Sequence, residues 1–385
     1  MDFNYTAEQD ALRDSVRRFV EREYDWEKRF AIIRSDQGVA PGHWAAFAEL
    51  GWLGAGLAEE AGGFGGSAVE NALIAEELGR GLVTEPFCAH VLATQLLSSI
   101  GTAEASELLA ALVMGERRAA PALQEPDGRG DWRIVETQAD HTGPALRLTG
   151  TKSLVESGTY ADSFIVSASN NGQTNLYLVN AQNTGTSLHP YRTIDNRRVC
   201  DIHLDNAPAH LLATGENAAR AIVLAVDHAI VALCGEALGI MDTALWTTRD
   251  YLKVRKQFGT AIGNFQVLQH RMADMMIEVE VTRSALFNAL GAMNRSEATR
   301  TAAVSAAKVQ ASTGGLFVGQ QAIQLHGGIG VTEELNISHH YRRLFVIARQ
   351  LGDADLHLVR FAQATDGTEE ALTKSARRAD GPHGI

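Results

Sequence analysis

Apolar positions along the chain change period twice. Near the start, Thr6 and Gln9 form a capping-box pattern ahead of Leu12, Val16, Phe19 and Val20, which share one helix face. A second helical run over 44–50 stops at Gly51, and the Gly-rich stretch 59–66 must be a loop. Helical spacing returns over 72–78, 89–97 and 103–112, which predicts a helical domain over 1–116. After the turn chemistry of 125–130 the period drops to two, in short runs at 145–148, 163–166, 176–179 and 199–204. Asn170-Asn171-Gly172 separates two of these runs and predicts a hairpin, so 117–218 reads as a β-domain. Long helical runs follow over about 218–254, 265–293 and 298–325. A last helix begins after the Gly-Asp punctuation at 352–353. The helical C-terminal domain is therefore expected over 219–373, with a frayed polar tail over 374–385.

The order helical, then β, then helical is an α+β arrangement. It lacks the strand–helix alternation of a doubly wound nicotinamide fold. With 385 residues, 45% hydrophobic and 21% charged, the chain can bury an extensive core and is not a disordered or fibrous type. Its formal charge of -12 argues against tracking a phosphate backbone, so nucleic acid is an unfavoured partner. Cys88, Cys200 and Cys234 are far apart, with no CxxC pair, which fits a reducing compartment and disfavours structural zinc. The first residues carry no secretory pattern and no apolar run looks long enough to span a bilayer, so a cytoplasmic protein is expected.

Common enzyme signatures fail: no GxGxxG follows a strand, and Walker A, GxSxG and HExxH are absent. Two stretches carry chemistry of another kind. Arg255-Lys256-Gln257-Phe258-Gly259 lies between long helices; it reads as a plain interhelical loop or as a cradle for a pyrophosphate. Gln324-Leu325-His326-Gly327-Gly328-Ile329-Gly330 closes an apolar helix; it reads as a C-cap or as glycines admitting a close ligand. His326 carries no catalytic weight on sequence grounds. His339-His340-Tyr341-Arg342-Arg343 reads as a solvated helix face, and no metal set is evident.

Taken as an ordered set, these segments resemble the acyl-CoA dehydrogenase family of flavoproteins over nearly the whole chain. The set comprises the 59–66 loop, Gln124-Glu125-Pro126, Gly150-Thr151-Lys152, Arg255 to Gly259, Phe265 to Gln269, Gln324 to Gly330 and Tyr341-Arg342. Within the family, Tyr24-Asp25-Trp26-Glu27 is similar to the small subunit of pimeloyl-CoA dehydrogenases, with heteromeric steroid-type acyl-CoA dehydrogenases as close relatives. The resemblance implies an N-terminal helical domain, a β-barrel-like middle domain and a C-terminal four-helix bundle that builds the oligomer. It implies FAD as cofactor, an acyl-CoA substrate and an electron-transferring flavoprotein as electron acceptor. A carboxylate in a water-poor pocket would take the acyl α-proton while the β-hydrogen leaves as hydride to the flavin.

Each flavin site in the family joins two subunits. The residues that reach a neighbour's flavin correspond to Arg255, Gln257, Phe258, Gln266, Gln324, Gly327 and Gly328, all present. Those that hold the chain's own flavin are altered. Gln124 replaces a Thr, Leu154-Val155-Glu156 replaces Trp-x-Thr, and Asp353 and Asp355 replace Thr and Gln. The usual base position falls on Leu351, and the alternative position on Ala229; Asp227 is the fallback base, although a helix-surface Asp is more often solvated. These departures imply a small subunit that completes a flavin site on a second acyl-CoA dehydrogenase subunit, which supplies the Glu. The rivals are a self-sufficient homo-oligomer using another carboxylate and a non-catalytic structural subunit.

Overall fold

In the computed structural model, which describes residues 5–142, 145–333 and 335–379, six helices precede the sheet. They are α1 (Ala7–Glu23), α2 (Trp26–Arg34), α3 (His43–Glu49), α4 (Ala68–Arg80), α5 (Phe87–Ile100) and α6 (Ala103–Val113). The capping box at α1 is formed in both directions. Gln9 N donates to Thr6 Oγ1 at 3.2 Å and Thr6 N donates to Gln9 Oε1 at 3.0 Å. The face of α1 marked by Val16, Phe19 and Val20 is buried, and Phe19 packs edge-on against Phe47 and Trp52.

Eight strands follow: β1 (Ala119–Ala122), β2 (Gln138–Asp140), β3 (Arg147–Glu156), β4 (Ser163–Asn170), β5 (Gln173–Asn180), β6 (Thr186–Arg192), β7 (Arg198–Pro208) and β8 (His210–Ala213). They form one mixed sheet in the order β6-β7-β3-β2-β4-β5-β8, with β1 alongside β4. The expected hairpin joins β4 and β5 in register Asn170↔Gln173, and Asn171 and Gly172 both adopt positive φ, as a type I′ turn requires. Inside the sheet Lys152 donates to Glu125 at 2.5 Å and to Ser167 Oγ at 3.0 Å, while Glu125 also accepts from the backbone and hydroxyl of Thr137. Burial pushes the Lys152 ammonium down to about 8. Burial works against the Glu125 carboxylate too, but Lys152 outweighs it and holds the group below its usual range. The Gln124-Glu125-Pro126 and Gly150-Thr151-Lys152 segments thus share a buried ion pair that ties β3 to the segment following β1.

The C-terminal part comprises α7 (Gly215–Val254), the short strands β9 (Lys256–Gln257) and β10 (Thr260–Ala261), α8 (Gln266–Ala292), α9 (Glu297–His326), α10 (Ile337–Ile347) and α11 (Ala354–Ala379). Helices α7, α8, α9 and α11 form the bundle. α7 is long and apolar enough to cross a membrane, contrary to the sequence expectation, but most of its apolar length is buried inside the fold. It packs on α4 so closely that a Cβ at Gly239 would lie 1.9 Å from the Glu76 carbonyl oxygen. This contact brings Glu236, one turn earlier on α7, against the N-terminal helices.

Two expectations need correction. α11 continues to Ala379 rather than stopping at 373, and the rest of the expected tail lies outside the described residues. The 339–343 segment is not a solvated face. His339, His340 and Arg343 of α10 are buried, and burial pushes His340 down to about 4. The polar residues turn inward because they find partners there: His340 Nδ1 meets the Asn336 carbonyl at 2.9 Å, and Arg343 meets two carboxylates.

Candidate functional site

The structure gathers the chemistry-bearing residues into two regions. The first is an open cleft of about 450 Å³ where α7 ends, α8 begins and α9 ends. Arg255, Gln257, Gln324, Gly327 and Gly328 line it, five of the seven expected cofactor-binding residues. Each is delivered by a local rule. Arg255 ends α7 in extended backbone, its N–H closing on the Tyr251 carbonyl at 2.9 Å. The chain then reverses through β9 and β10, with Phe258 and Gly259 at positive φ in the two-residue turn. Phe258 stands at that tip, 93% exposed, and Gln266 is exposed at the first turn of α8; neither lines the cleft. Gly327 stops α9 at φ +64°, and a Cβ at Gly327 or Gly328 would meet nothing within 4 Å, so the backbone here is open to a ligand.

The lining also includes Tyr251 and Arg271, which sequence reasoning missed, and His326, to which it gave no catalytic weight. His326 stacks on Tyr251 with ring centroids 4.4 Å apart, and its Nδ1 lies 2.8 Å from the Ala322 carbonyl. Burial lowers its affinity for a proton. It forms part of the cleft wall. Among the described residues Arg255 makes no ion pair with a carboxylate, and Arg271 donates to the neutral Gln321 at 3.1 Å. A phosphate-bearing group finds cationic donors and uncovered glycine backbone in this cleft, so the residues present fit the pyrophosphate portion of FAD.

The second region is a cavity of about 360 Å³ between α5, the sheet and α10. Its walls include Ala89 and Leu92 of α5, Leu123 and Leu154, Ile194 and Val199, and Phe345, Val346 and Leu351. Leu154 sits at a bulge in the β3–β7 pairing, at φ +53° and 52% exposed, its N–H on Asp201 at 3.1 Å. Leu351, at φ +55°, follows the end of α10; His357 Nε2 lies 2.9 Å from its carbonyl. Lys308, deep in the bundle, donates to the carbonyls of Ile347 and Gly352 at 2.9 Å each and so fixes this turn from behind.

Five charged side chains form the cavity floor and its support. Arg343 grips Glu236 with two bonds of 2.7 Å and reaches Asp195 at 3.0 Å. Arg197 donates to Glu236 at 2.5 Å, to Glu156 at 3.1 Å and to the Val83 carbonyl at 2.7 Å. Gln350 donates to the other oxygen of Glu156 at 2.6 Å. Burial alone would raise the Glu236 carboxyl, but Arg197 and Arg343 outweigh it and hold it at about 2. The Cys88 thiol, 3.6 Å from Glu236, is pushed well up by burial and by that carboxylate, so it is inert as a nucleophile. From sequence, Glu156 reads as a departure and Arg343 as part of a solvated helix face. Asp195 and Arg197 carry no sequence signal, because the contacts join residues 39 to 148 positions apart.

The cavity does not fit a flavin ring held by its own chain. Leu154 offers no hydrogen bond, and Glu156 is committed to Arg197 and Gln350. Asp353 caps α11, its Oδ1 accepting from Leu356 N at 3.0 Å, where a phosphate would need the same donors. Nor does the structure supply the fallback base. Asp227 is neither solvated nor on the cavity wall: it is fully buried in the bundle, paired with Arg300 at 2.8 Å and Arg360 at 2.7 Å. Both guanidiniums hold it inside the bundle, away from any space a substrate could enter.

Comparison with known proteins places this geometry. Residues 6–116 match the acyl-CoA dehydrogenase N-terminal domain and residues 219–370 the acyl-CoA dehydrogenase C-terminal domain. The probable acyl-CoA dehydrogenase YngJ of Bacillus subtilis is 29% identical over 360 residues, covering 89% of this chain and 93% of that protein. A variant of the Tcur3481-Tcur3483 steroid ACAD superposes with a TM-score of 0.87 at 32% identity, covering 94% of this chain and 99% of that one. The ChsE4-ChsE5 complex from Mycobacterium tuberculosis includes a chain with a TM-score of 0.86 at 25% identity, covering 95% of this chain and 99% of that one. The chain therefore belongs to the acyl-CoA dehydrogenase family, FAD-binding oxidoreductases that act on CH–CH donors.

Proposed function

We propose that this chain is the small subunit of a heteromeric acyl-CoA dehydrogenase, acting in α,β-dehydrogenation of an acyl-CoA thioester only with a second subunit. The carrying observation is that, among the described residues, no carboxylate on its own cavity wall lacks a guanidinium partner. Leu351 stands at the family's base position, and Glu156, Asp195 and the underlying Glu236 are all tied to Arg197 or Arg343. A base for the acyl α-proton must be desolvated without a cationic partner, so that its pKa rises. Each of these groups has a guanidinium partner instead.

The other cleft supports the positive half of the reading. Arg255, Gln257, Gln324, Gly327 and Gly328 present donors and open backbone toward a neighbour, with Phe258 projecting beyond them. FAD, when bound, supplies the electron sink for the hydride. This chain's residues would hold its phosphates on the partner's site, while the partner supplies the Glu and the contacts to the flavin ring. Val267, Ile277 and Val281 on α8, with Leu358 and Val359 on α11, are about half exposed or more and suit burial against another chain. The similarity to a ChsE4-ChsE5 complex and a Tcur3481-Tcur3483 steroid ACAD also favours a two-chain enzyme. The reading includes a cytoplasmic enzyme that passes electrons to an electron-transferring flavoprotein.

The test is turnover of acyl-CoA with an artificial electron acceptor, by this chain alone and co-purified with an acyl-CoA dehydrogenase chain of the same organism that carries the pocket Glu. The lone chain should be inactive and the pair active, with Arg255→Ala in this chain abolishing the pair's activity. Turnover by the lone chain would overturn the assignment.

A further inference from the structure

The cavity under α10 has lost the groups that would serve a flavin ring, yet it has not collapsed. Its volume of about 360 Å³ falls within the range of small-molecule sites. Its walls are built rather than left over. Arg343 and Arg197 tie α10, α7 and the sheet together through Glu236, Asp195 and Glu156, so the floor is rigid. Lys308 and His357 fix the turn that presents Leu351. A rigid apolar cavity resists closing and leaves its lining without packing partners, which favours an apolar occupant.

Charge selects the occupant's chemistry. The floor network holds three carboxylates against two guanidiniums, a net charge of -1, so an anionic group would be repelled there. The rim has the opposite sign. Arg192 and Arg349 both line the cavity, both are exposed, and neither pairs with a described carboxylate. Arg349 lies over the Phe345 ring at 3.6 Å and donates to the Phe345 carbonyl at 3.0 Å, which holds its guanidinium at the mouth. Gln350 Oε1, on the same wall, is buried with no hydrogen-bond partner.

We propose that this cavity is a binding site for a hydrophobic carboxylate, with the apolar body between Leu92, Leu123, Leu154 and Val346 and the carboxylate at Arg349 and Arg192. The ligand is neither flavin nor a CoA thioester undergoing reaction. The inference rests on the proposed absence of a flavin in the chain's own site. Such a site lets a free acid, one step of thioester hydrolysis away from an acyl-CoA substrate, bind a subunit that performs no chemistry.

The experiment uses decanoate and decanol as probes in calorimetric titration of the purified chain and of its complex with the partner subunit, with flavin content measured separately by absorbance. Decanoate should bind about one per copy of this chain, about tenfold more tightly than decanol, as one charge-assisted contact at an exposed rim supports. Arg349→Ala should reduce that preference and the Arg192→Ala, Arg349→Ala pair should remove it, while Leu154→Glu, at a half-exposed position, should weaken decanoate further and leave thermal unfolding unchanged. Equal binding of decanoate and decanol, or decanoate binding unaffected by these substitutions, overturns the proposal. No decanoate binding in a flavin-free chain overturns the cavity site alone. One flavin per lone chain overturns the subunit reading and this site with it.

Discussion

The two clefts of this molecule use arginine in opposite ways. At the end of α9, Arg255 projects into an open cleft beside uncovered glycine backbone, without a carboxylate partner among the described residues. Under α10, Arg197 and Arg343 are buried and spend all their charge on Glu236, Asp195 and Glu156. An exposed, unpaired guanidinium contributes little to stability and is free for a ligand. A buried, paired one is structural, since removing either partner strands a charge in a poorly solvated place. The same residue type is therefore free for a ligand at the end of α9 and committed to structure on the floor under α10, and its partners decide which.

That contrast can be broken most forcefully at Arg343. Arg343→Met leaves Asp195 without a guanidinium and Glu236 with Arg197 alone, and should cost about 3–5 kcal/mol in denaturant unfolding, with much of the loss recovered in the Arg343→Met, Glu236→Met double variant. Similar losses in the single and double variants would mean that the network is not acting as an ion pair. At Arg255 the expectation reverses. Arg255→Ala should weaken FAD retention by the two-subunit complex by about tenfold to a hundredfold, while the unfolding midpoint of the lone chain stays where it was.

Acidification separates the clefts further. Glu236 is held at about 2 in the fold against 4.5 as its ordinary value, so its contribution is complete above about pH 4.5 and is lost as pH falls toward 2. His340, neutral and buried with a value near 4 against 6.5, adds a loss beginning below about pH 6.5 as the unfolded chain takes up the proton. Stability measured by denaturant titration should therefore decline from pH 6.5 downward, and Glu236→Gln should flatten only the lowest part of that curve. The smallest effect is expected from Leu351→Glu. Restoring a carboxylate at the family's base position should give the lone chain no turnover, because the ring contacts at Leu154 and Glu156 are still missing; activity in a coupled acceptor assay would show that one residue was all it lacked.

Much of this arrangement was legible in the sequence, for identifiable reasons. The α1 capping box and the Asn171-Gly172 hairpin are local devices, written within four residues of one another. The Arg255 and Gly327 segments were readable because the turns that expose them are made of contiguous residues. The floor network was hidden, since Arg343 reaches Asp195 across 148 positions and Glu236 across 107. Helix α10 was misjudged for the same reason: its histidines and Arg343 look solvent-seeking until their buried partners are known. Asp227 was misjudged likewise, its two arginines lying 73 and 133 residues further on.

The account's central claim is that one of these clefts serves a flavin on another chain while the other holds none. The most direct measurement is flavin stoichiometry, by absorbance of the released cofactor, for the chain expressed alone and co-expressed with its partner dehydrogenase subunit. The account predicts colourless lone protein and a yellow complex with one flavin for every two chains. One flavin per chain in the lone protein would contradict it.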